Sequence, residues 1–158
     1  MHQPSEAIER FFRTFEANAL GHDVEAQVSQ FADVFMAASP QGAQAVRAAD
    51  FALVLPKKKQ LFNRMGCRSS ELVSLSEERL DARYVLARTQ WRMTFERPDI
   101  APQDVVVESM YIVDTGGDRA AADAATAEAA SAESPKIVFY LANQDLMQIV
   151  RDRGLLPA

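Results

Sequence analysis

Arg88, Arg92 and Glu108, on two strand-like stretches, are the nearest this sequence comes to a reactive constellation, a cross-strand charged cluster. Their parity opposes that of Trp91, Ser109 and Tyr111, which puts them on the outer face of a sheet. There an exposed or interface ion pair is the better reading. A register slipped by one residue would turn the same charges inward. The other chemistry-bearing residues point to bland roles. His2 and His22 fall in a terminus and a helix turn and read as surface residues. Cys67 follows Gly66 at a helix-to-strand turn, with neither a histidine nor a metal ligand at useful spacing, so it reads as a structural thiol. Lys57, Lys58 and Lys59 read as a solvated helix face. Gly116-Gly117 follows a strand but opens no capped helix, so it is not a phosphate loop.

The elements that must position these residues change period along the chain. Ile8, Phe11, Phe12, Phe15 and Ala19 recur at helical spacing, opposite Glu6, Glu9, Arg10, Arg13 and Glu16, and predict a helix over 5–20. Asp23 suits the cap of a second helix over 23–32. A small extended stretch, 34–38, follows and is closed by Ser39-Pro40-Gln41-Gly42. A third helix is expected over 51–65, with Asp50 as its cap, Leu61, Phe62 and Met65 as its buried face, and Pro56 breaking or kinking it. From residue 68 the period becomes two, giving strand candidates at 71–76, 82–97, 104–114 and 136–143. The stretch 104–114 is apolar at both parities, as in a strand covered on both faces. Residues 119–134 hold nine alanines and no core anchor, so 115–135 reads as a flexible Ala-rich hairpin insertion. Asp145-Leu146-Met147-Gln148 opens a short last helix.

With 158 residues, 48% of them hydrophobic and 25% charged, the chain is long enough for one domain held by an apolar core. Seventeen Lys and Arg against 22 Asp and Glu give a net charge of -5, the wrong sign for a nucleic-acid surface. One cysteine excludes an intrachain disulfide and fits a reducing cytoplasm. The start has no basic and apolar leader pattern, and no apolar run approaches a membrane span, so a cytoplasmic protein is expected. Composition and spacing by themselves reach an α+β domain and no function.

The order of two N-terminal helices, a short strand, a third helix and a long antiparallel sheet resembles the nuclear transport factor 2-like superfamily, in particular its SnoaL-like, polyketide-cyclase-like branch. The residues that carry the resemblance are Asp23-Val24-Glu25, Phe31-Ala32-Asp33 and Ser39-Pro40-Gln41-Gly42. They look like the family's acidic start of the second helix, its F-A-D at the first strand and its P-x-G turn.

The resemblance implies a cone-shaped, curved antiparallel sheet packed on the N-terminal helices and enclosing an apolar cavity, with dimerisation through the outer sheet face. Matched to the ketosteroid isomerases of this superfamily, a system used widely to illustrate tuned carboxylate chemistry, the general base falls on Ser39, the donor tyrosine on Phe15 and the donor aspartate on Ser109. All three catalytic groups are therefore replaced. Arg88, Arg92 and Glu108 resemble the acid and arginine ladder of epoxide-hydrolase relatives. The expected ligand is a hydrophobic small molecule, with Phe15, Ser39, Thr89, Trp91, Ser109 and Tyr111 as cavity candidates. No metal or cofactor is expected, and the alternative readings are a noncatalytic dimeric interaction module and an isomerase, cyclase or hydrolase acting on a hydrophobic ligand through other residues.

Overall fold

In a computed structural model, the described residues, 2–117 and 134–157, include four helices and six strands. They are α1 (Glu6–Ala19), α2 (Val24–Val28), β1 (Phe31–Ser39), β2 (Gly42–Arg47), α3 (Ala48–Arg64), β3 (Cys67–Arg79), β4 (Tyr84–Arg97), β5 (Ile100–Asp114), β6 (Lys136–Ala142) and α4 (Leu146–Asp152). The Ala-rich insertion expected over 115–135 lies, apart from its flanks, outside the described residues.

Local chemistry explains most of the boundaries. Ser5 caps α1 by accepting from the Ile8 amide, Asp23 caps α2 by accepting from Ala26, and Asp145 caps α4 by accepting from Gln148. Helix α3 departs from expectation at both points where sequence rules were applied to it. It begins at Ala48 behind Arg47, with no side-chain cap, and Asp50 sits in its first turn, where a carboxylate meets the positive end of the helix dipole. It also runs through Pro56 unbroken. Pro56 is on an exposed surface, where water can take the place of the missing helical hydrogen bond. Gly66 ends the helix at φ +86, and a Cβ there would lie 2.5 Å from the Glu96 carbonyl oxygen. Its own carbonyl accepts from the Glu96 amide at 2.8 Å, which ties the helix exit to β4.

The six strands form one sheet in the order β2-β1-β6-β5-β4-β3. Every neighbouring pair is antiparallel except β1 with β6, which is parallel. The long central ladder of β4 and β5 sets Trp91 opposite Val107, Thr89 opposite Ser109 and Ala87 opposite Tyr111. Register shifts in the β3–β4, β4–β5 and β5–β6 ladders mark the bulges that bend the sheet. Strand β2 went unrecognised because Gly42-Ala43-Gln44-Ala45-Val46-Arg47 carries a single large apolar side chain, and its pattern is almost wholly exposed.

The strict alternation of β4 puts Val85, Ala87, Thr89, Trp91, Met93 and Phe95 in the interior. Around them the core forms two clusters. One packs Ile8, Phe11 and Phe12 of α1 on Phe31, Phe35, Trp91, Tyr111 and Ile137 of the sheet. The other packs Phe62 and Met65 at the end of α3 on Met93, Phe95, Val105, Val150 and Leu155. Phe12 is fully buried, and burial of such a ring is worth on the order of 1.5–3 kcal/mol. Arg97 stitches this second cluster together. Its guanidinium donates to the Met65 and Leu155 carbonyls at 3.0 and 2.7 Å and to Asp99 at 2.8 Å.

Candidate functional site

Between the concave sheet face, α1 and α3, a cavity of about 750 Å³ separates the two core clusters. Eight aromatic side chains stand in its wall. Phe15 sits 5.6 Å from Trp91 and 5.4 Å from Tyr111, centroid to centroid, and Phe31 stacks toward Phe35 and Phe51 at 4.6 and 4.9 Å. Tyr140 completes the wall 5.2 Å from Tyr111. The rim carries Leu20 and Val54, two apolar side chains left exposed, together with His22, Asp50, Lys58 and Arg68.

One wall holds a directed chain of buried hydrogen bonds. The Trp91 indole N–H donates to Thr89 Oγ1 at 2.8 Å. Thr89 donates in turn to the Ser109 carbonyl at 2.9 Å, and its hydroxyl lies 2.8 Å from that of Ser109. Ser109 Oγ donates to the Tyr111 hydroxyl at 3.3 Å. The chain ends at the Tyr111 hydroxyl, on a residue of the cavity lining. Burial, and secondarily the neighbouring Tyr140, pushes the Tyr111 phenol far above its ordinary pKa, and burial raises Tyr140 as well. Both stay protonated, so Tyr111 acts as a hydrogen-bond donor and not as a base.

Of the six residues singled out from the sequence, Phe15, Trp91, Ser109 and Tyr111 line this cavity. Thr89 lies behind the wall, buried beneath the groups it bridges. Ser39 lies elsewhere. It stands at the β1–β2 turn opposite Gly42, where its hydroxyl donates to Gln41 Oε1 at 3.0 Å and accepts from the Gln41 amide at 3.2 Å. Gln41 reaches on to Asp145, the cap of α4, so this serine braces a turn.

The charged cluster expected of Arg88, Arg92 and Glu108 does not form. Arg92 pairs with Glu71 at 3.6 Å, and Arg88 reaches Met110 Sδ at 3.1 Å. Glu108 stands opposite Gln90 and also lines the cavity, with its amide held by Gln144 Oε1 at 2.7 Å. The lysine run corrects a second expectation. Lys59 is not solvated: its ammonium donates to the carbonyls of Asn18, Ala19 and Gly21 at 3.1, 3.3 and 2.6 Å, capping the C-terminal end of α1. Lys58 lines the cavity, as does His22. No signal in the sequence separated these residues from a solvated face, because the helix phase that decides it depends on where α3 begins.

Cys67 also borders the cavity, and burial raises its thiol to about 11, against a weaker opposing pull from the Ser69 backbone. It is held as a thiol. A second groove, of about 700 Å³, runs between α2, the start of β1 and α3, and two of its four charged side chains are engaged. Asp114 is held by Arg83, and Lys136 donates to the Ser29 carbonyl. Among the described residues no group of histidine, cysteine and carboxylate side chains could hold a metal ion, and no helix is long and apolar enough to cross a membrane.

No family model and no curated protein matches this chain by sequence. Solved structures do match it in three dimensions. An NTF2-like protein with a cystatin-like fold from Novosphingobium aromaticivorans superposes with a TM-score of 0.65 at 13% identity, covering 97% of this chain and 88% of its own. ActVI-ORFA from Streptomyces coelicolor gives 0.64 at 12% identity over 88% and 95% of the two chains. The beta subunit of benzoate 1,2-dioxygenase from Burkholderia mallei gives 0.61 at 16% over 94% and 96%. The chain has the nuclear transport factor 2-like fold, an α+β sheet wrapped on N-terminal helices.

Proposed function

We propose that this protein binds a hydrophobic small molecule in the cavity between α1, α3 and the concave sheet. The observation that carries this reading is an aromatic-rich space of about 750 Å³ against which a buried hydrogen-bond chain ends at the Tyr111 hydroxyl. Specific small-molecule sites combine a large apolar lining with a few placed polar groups in this way. The Tyr111 donor orients a ligand oxygen, while Phe15, Phe31 and Trp91 supply contact area. The steroid-isomerase reaction is not part of this reading, since Phe15 and Ser109 stand where that chemistry needs a donor tyrosine and aspartate, and Ser39 lies outside the cavity lining. The test uses a neutral apolar fluorophore, N-phenyl-1-naphthylamine, with energy transfer from Trp91, the sole tryptophan. Saturable transfer that Ala37→Phe filling or Tyr111→Phe weakens supports the site. Absence of saturable binding would leave the cavity as an interior packing fault and reject the reading.

A second observation favours a homodimer formed through the outer sheet face. The register places Leu86, Ile112 and Phe139 in one row of that face, and Met110 and Leu141 in the next. Val34, Met36 and Val106 on the same sheet are exposed. A single helix layer leaves this apolar face uncovered, and a second copy related by a two-fold axis would cover it with the same rows. One of the fold's relatives is itself a subunit of a larger enzyme. Sedimentation at micromolar concentration should show twice the 17.5 kDa chain mass, and a species of 17.5 kDa alone would reject it.

A further inference from the structure

We infer that the outer face of α3 docks the mouth of the cavity onto an anionic lipid surface. The docking stands on the chemistry of that helix face, and it rests on the cavity reading above only for the hydrophobic ligand that would pass inward.

Leu53 is 74% exposed, more than any other large apolar side chain among the described residues, and Val54 beside it is 55% exposed. Val54 also lines the cavity, as does the exposed Leu20, so the apolar patch reaches the mouth. The same helix is strongly basic. It carries Lys57, Lys58, Lys59 and Arg64 against one carboxylate, Asp50, although the chain as a whole has a net charge of -5. Lys59 is spent on the carbonyls at the end of α1. Lys57, Lys58 and Arg64 are exposed, and none of them joins an ion pair among the described residues. Leu53, Lys57 and Arg64 stand at i, i+4 and i+11, on one face of the helix.

Such a face fits the boundary layer of an anionic bilayer. Its apolar side chains enter the edge of the acyl region, while the lysine and arginine heads meet the lipid phosphates. The dimer proposed above leaves this face uncovered, because it uses the outer side of the sheet and α3 lies on the concave side. A two-fold contact between two α3 helices would set Lys57 and Arg64 against their own copies, a juxtaposition of like charges. An acidic protein segment would answer the cations but not the apolar pair at the mouth. A lipid surface answers both, and it is where a hydrophobic ligand concentrates.

The experiment is co-sedimentation near neutral pH with vesicles of phosphatidylcholine alone, and with vesicles of phosphatidylcholine and phosphatidylglycerol in equal parts. The native chain should bind the mixed vesicles, bind the neutral ones far more weakly, and dissociate as salt rises. Lys57→Gln should weaken binding about fivefold, the loss of one surface cation, and Leu53→Gln about tenfold or more, the loss of one inserted side chain. Neither residue lines the cavity, so both variants should bind N-phenyl-1-naphthylamine in free solution as the native chain does, which also shows that they fold. Leu80→Gln, at an exposed apolar residue beyond the far end of β3, should leave vesicle binding unchanged. Absence of binding to the mixed vesicles would overturn the inference, as would binding that survives both α3 substitutions. Loss with Lys57→Gln but not with Leu53→Gln would overturn it in favour of an acidic protein segment. A Leu53→Gln variant that sediments at half the native mass would overturn it in favour of a second copy. Failure of the fluorophore alone would remove the cavity reading and leave the docking in place.

Discussion

Thr89 and Ser109 face each other across β4 and β5 with their hydroxyls 2.8 Å apart, and through them the Trp91 indole is connected to the Tyr111 phenol. The pair joins two residues of the cavity wall to each other without either bond crossing the cavity. Replacing Thr89 by valine preserves shape and removes the acceptor for the buried Trp91 N–H. An unsatisfied buried donor costs about 1–3 kcal/mol, so Thr89→Val should lower the unfolding free energy by that much, read as a lower denaturant midpoint with an unchanged m-value. Ser109→Ala should cost less, because Thr89 still donates to the Ser109 backbone carbonyl. A Thr89→Val variant within about 0.5 kcal/mol of the native chain would show that the indole finds another acceptor.

The strands that flank this pair were the most legible part of the sequence, because alternation over fourteen residues of β4 leaves one choice of face. The same parity, carried across to β5, puts Trp91, Ser109 and Tyr111 inside, where all three are buried. Ser39 was misplaced for the opposite reason. Its position came from a short turn motif, and a serine that follows an extended strand looks the same whether its hydroxyl enters a cavity or closes a turn. The role of Lys59 was hidden because its exposed neighbours Lys57 and Lys58 make the run look like an ordinary solvated surface, and only the packing of α3 on α1 distinguishes it.

Cys67 should behave as an inert thiol. With its pKa raised to about 11, its thiolate fraction at pH 8 is on the order of a hundredfold below that of an unperturbed cysteine near 8.5. Iodoacetamide at pH 8 should therefore label the native chain on the order of a hundred times more slowly than the chain unfolded in urea, as followed by intact mass. Labelling at equal rates would mean that the wall around Cys67 opens freely.

Arg83 and Asp114 make a two-point contact at the open end of the sheet, with both nitrogen to oxygen distances at 2.8 Å. The Arg83 hydrogen bonds are the main cause of the lowered Asp114 pKa, with a smaller contribution from the Gly116 amide. A lowered folded-state pKa stabilises at pH values above the unfolded carboxylate pKa, near 3.9, and the gain is lost as pH falls through the folded value. Because the Arg83 side chain is 50% exposed, the pair is worth at most about 1 kcal/mol. Asp114→Asn should cost that amount at pH 7, and the difference from the native chain should shrink as pH falls below about 4. A difference that persists unchanged at pH 2 would assign the effect to the Gly116 turn instead of the ion pair.

The last expectation concerns proton transfer. Moving a proton along a steroid skeleton needs a carboxylate within reach of the substrate carbon and donors where the oxyanion charge develops. Tyr111 offers a donor in the cavity, but the position matched to the base is Ser39, a turn-bracing serine outside the lining. Loss of a general base alone typically removes about two to four orders of magnitude in rate. The native chain should therefore leave a β,γ-unsaturated ketosteroid at its background rate of double-bond migration, followed by ultraviolet absorbance. Ser39→Asp should not restore turnover, even combined with Phe15→Tyr and Ser109→Asp, because a carboxylate at the β1–β2 turn does not enter the cavity. Turnover by the native chain would direct attention to Glu108 and Asp50, the two carboxylates that do line it, and Glu108→Gln beside Asp50→Asn would show which one carries the proton.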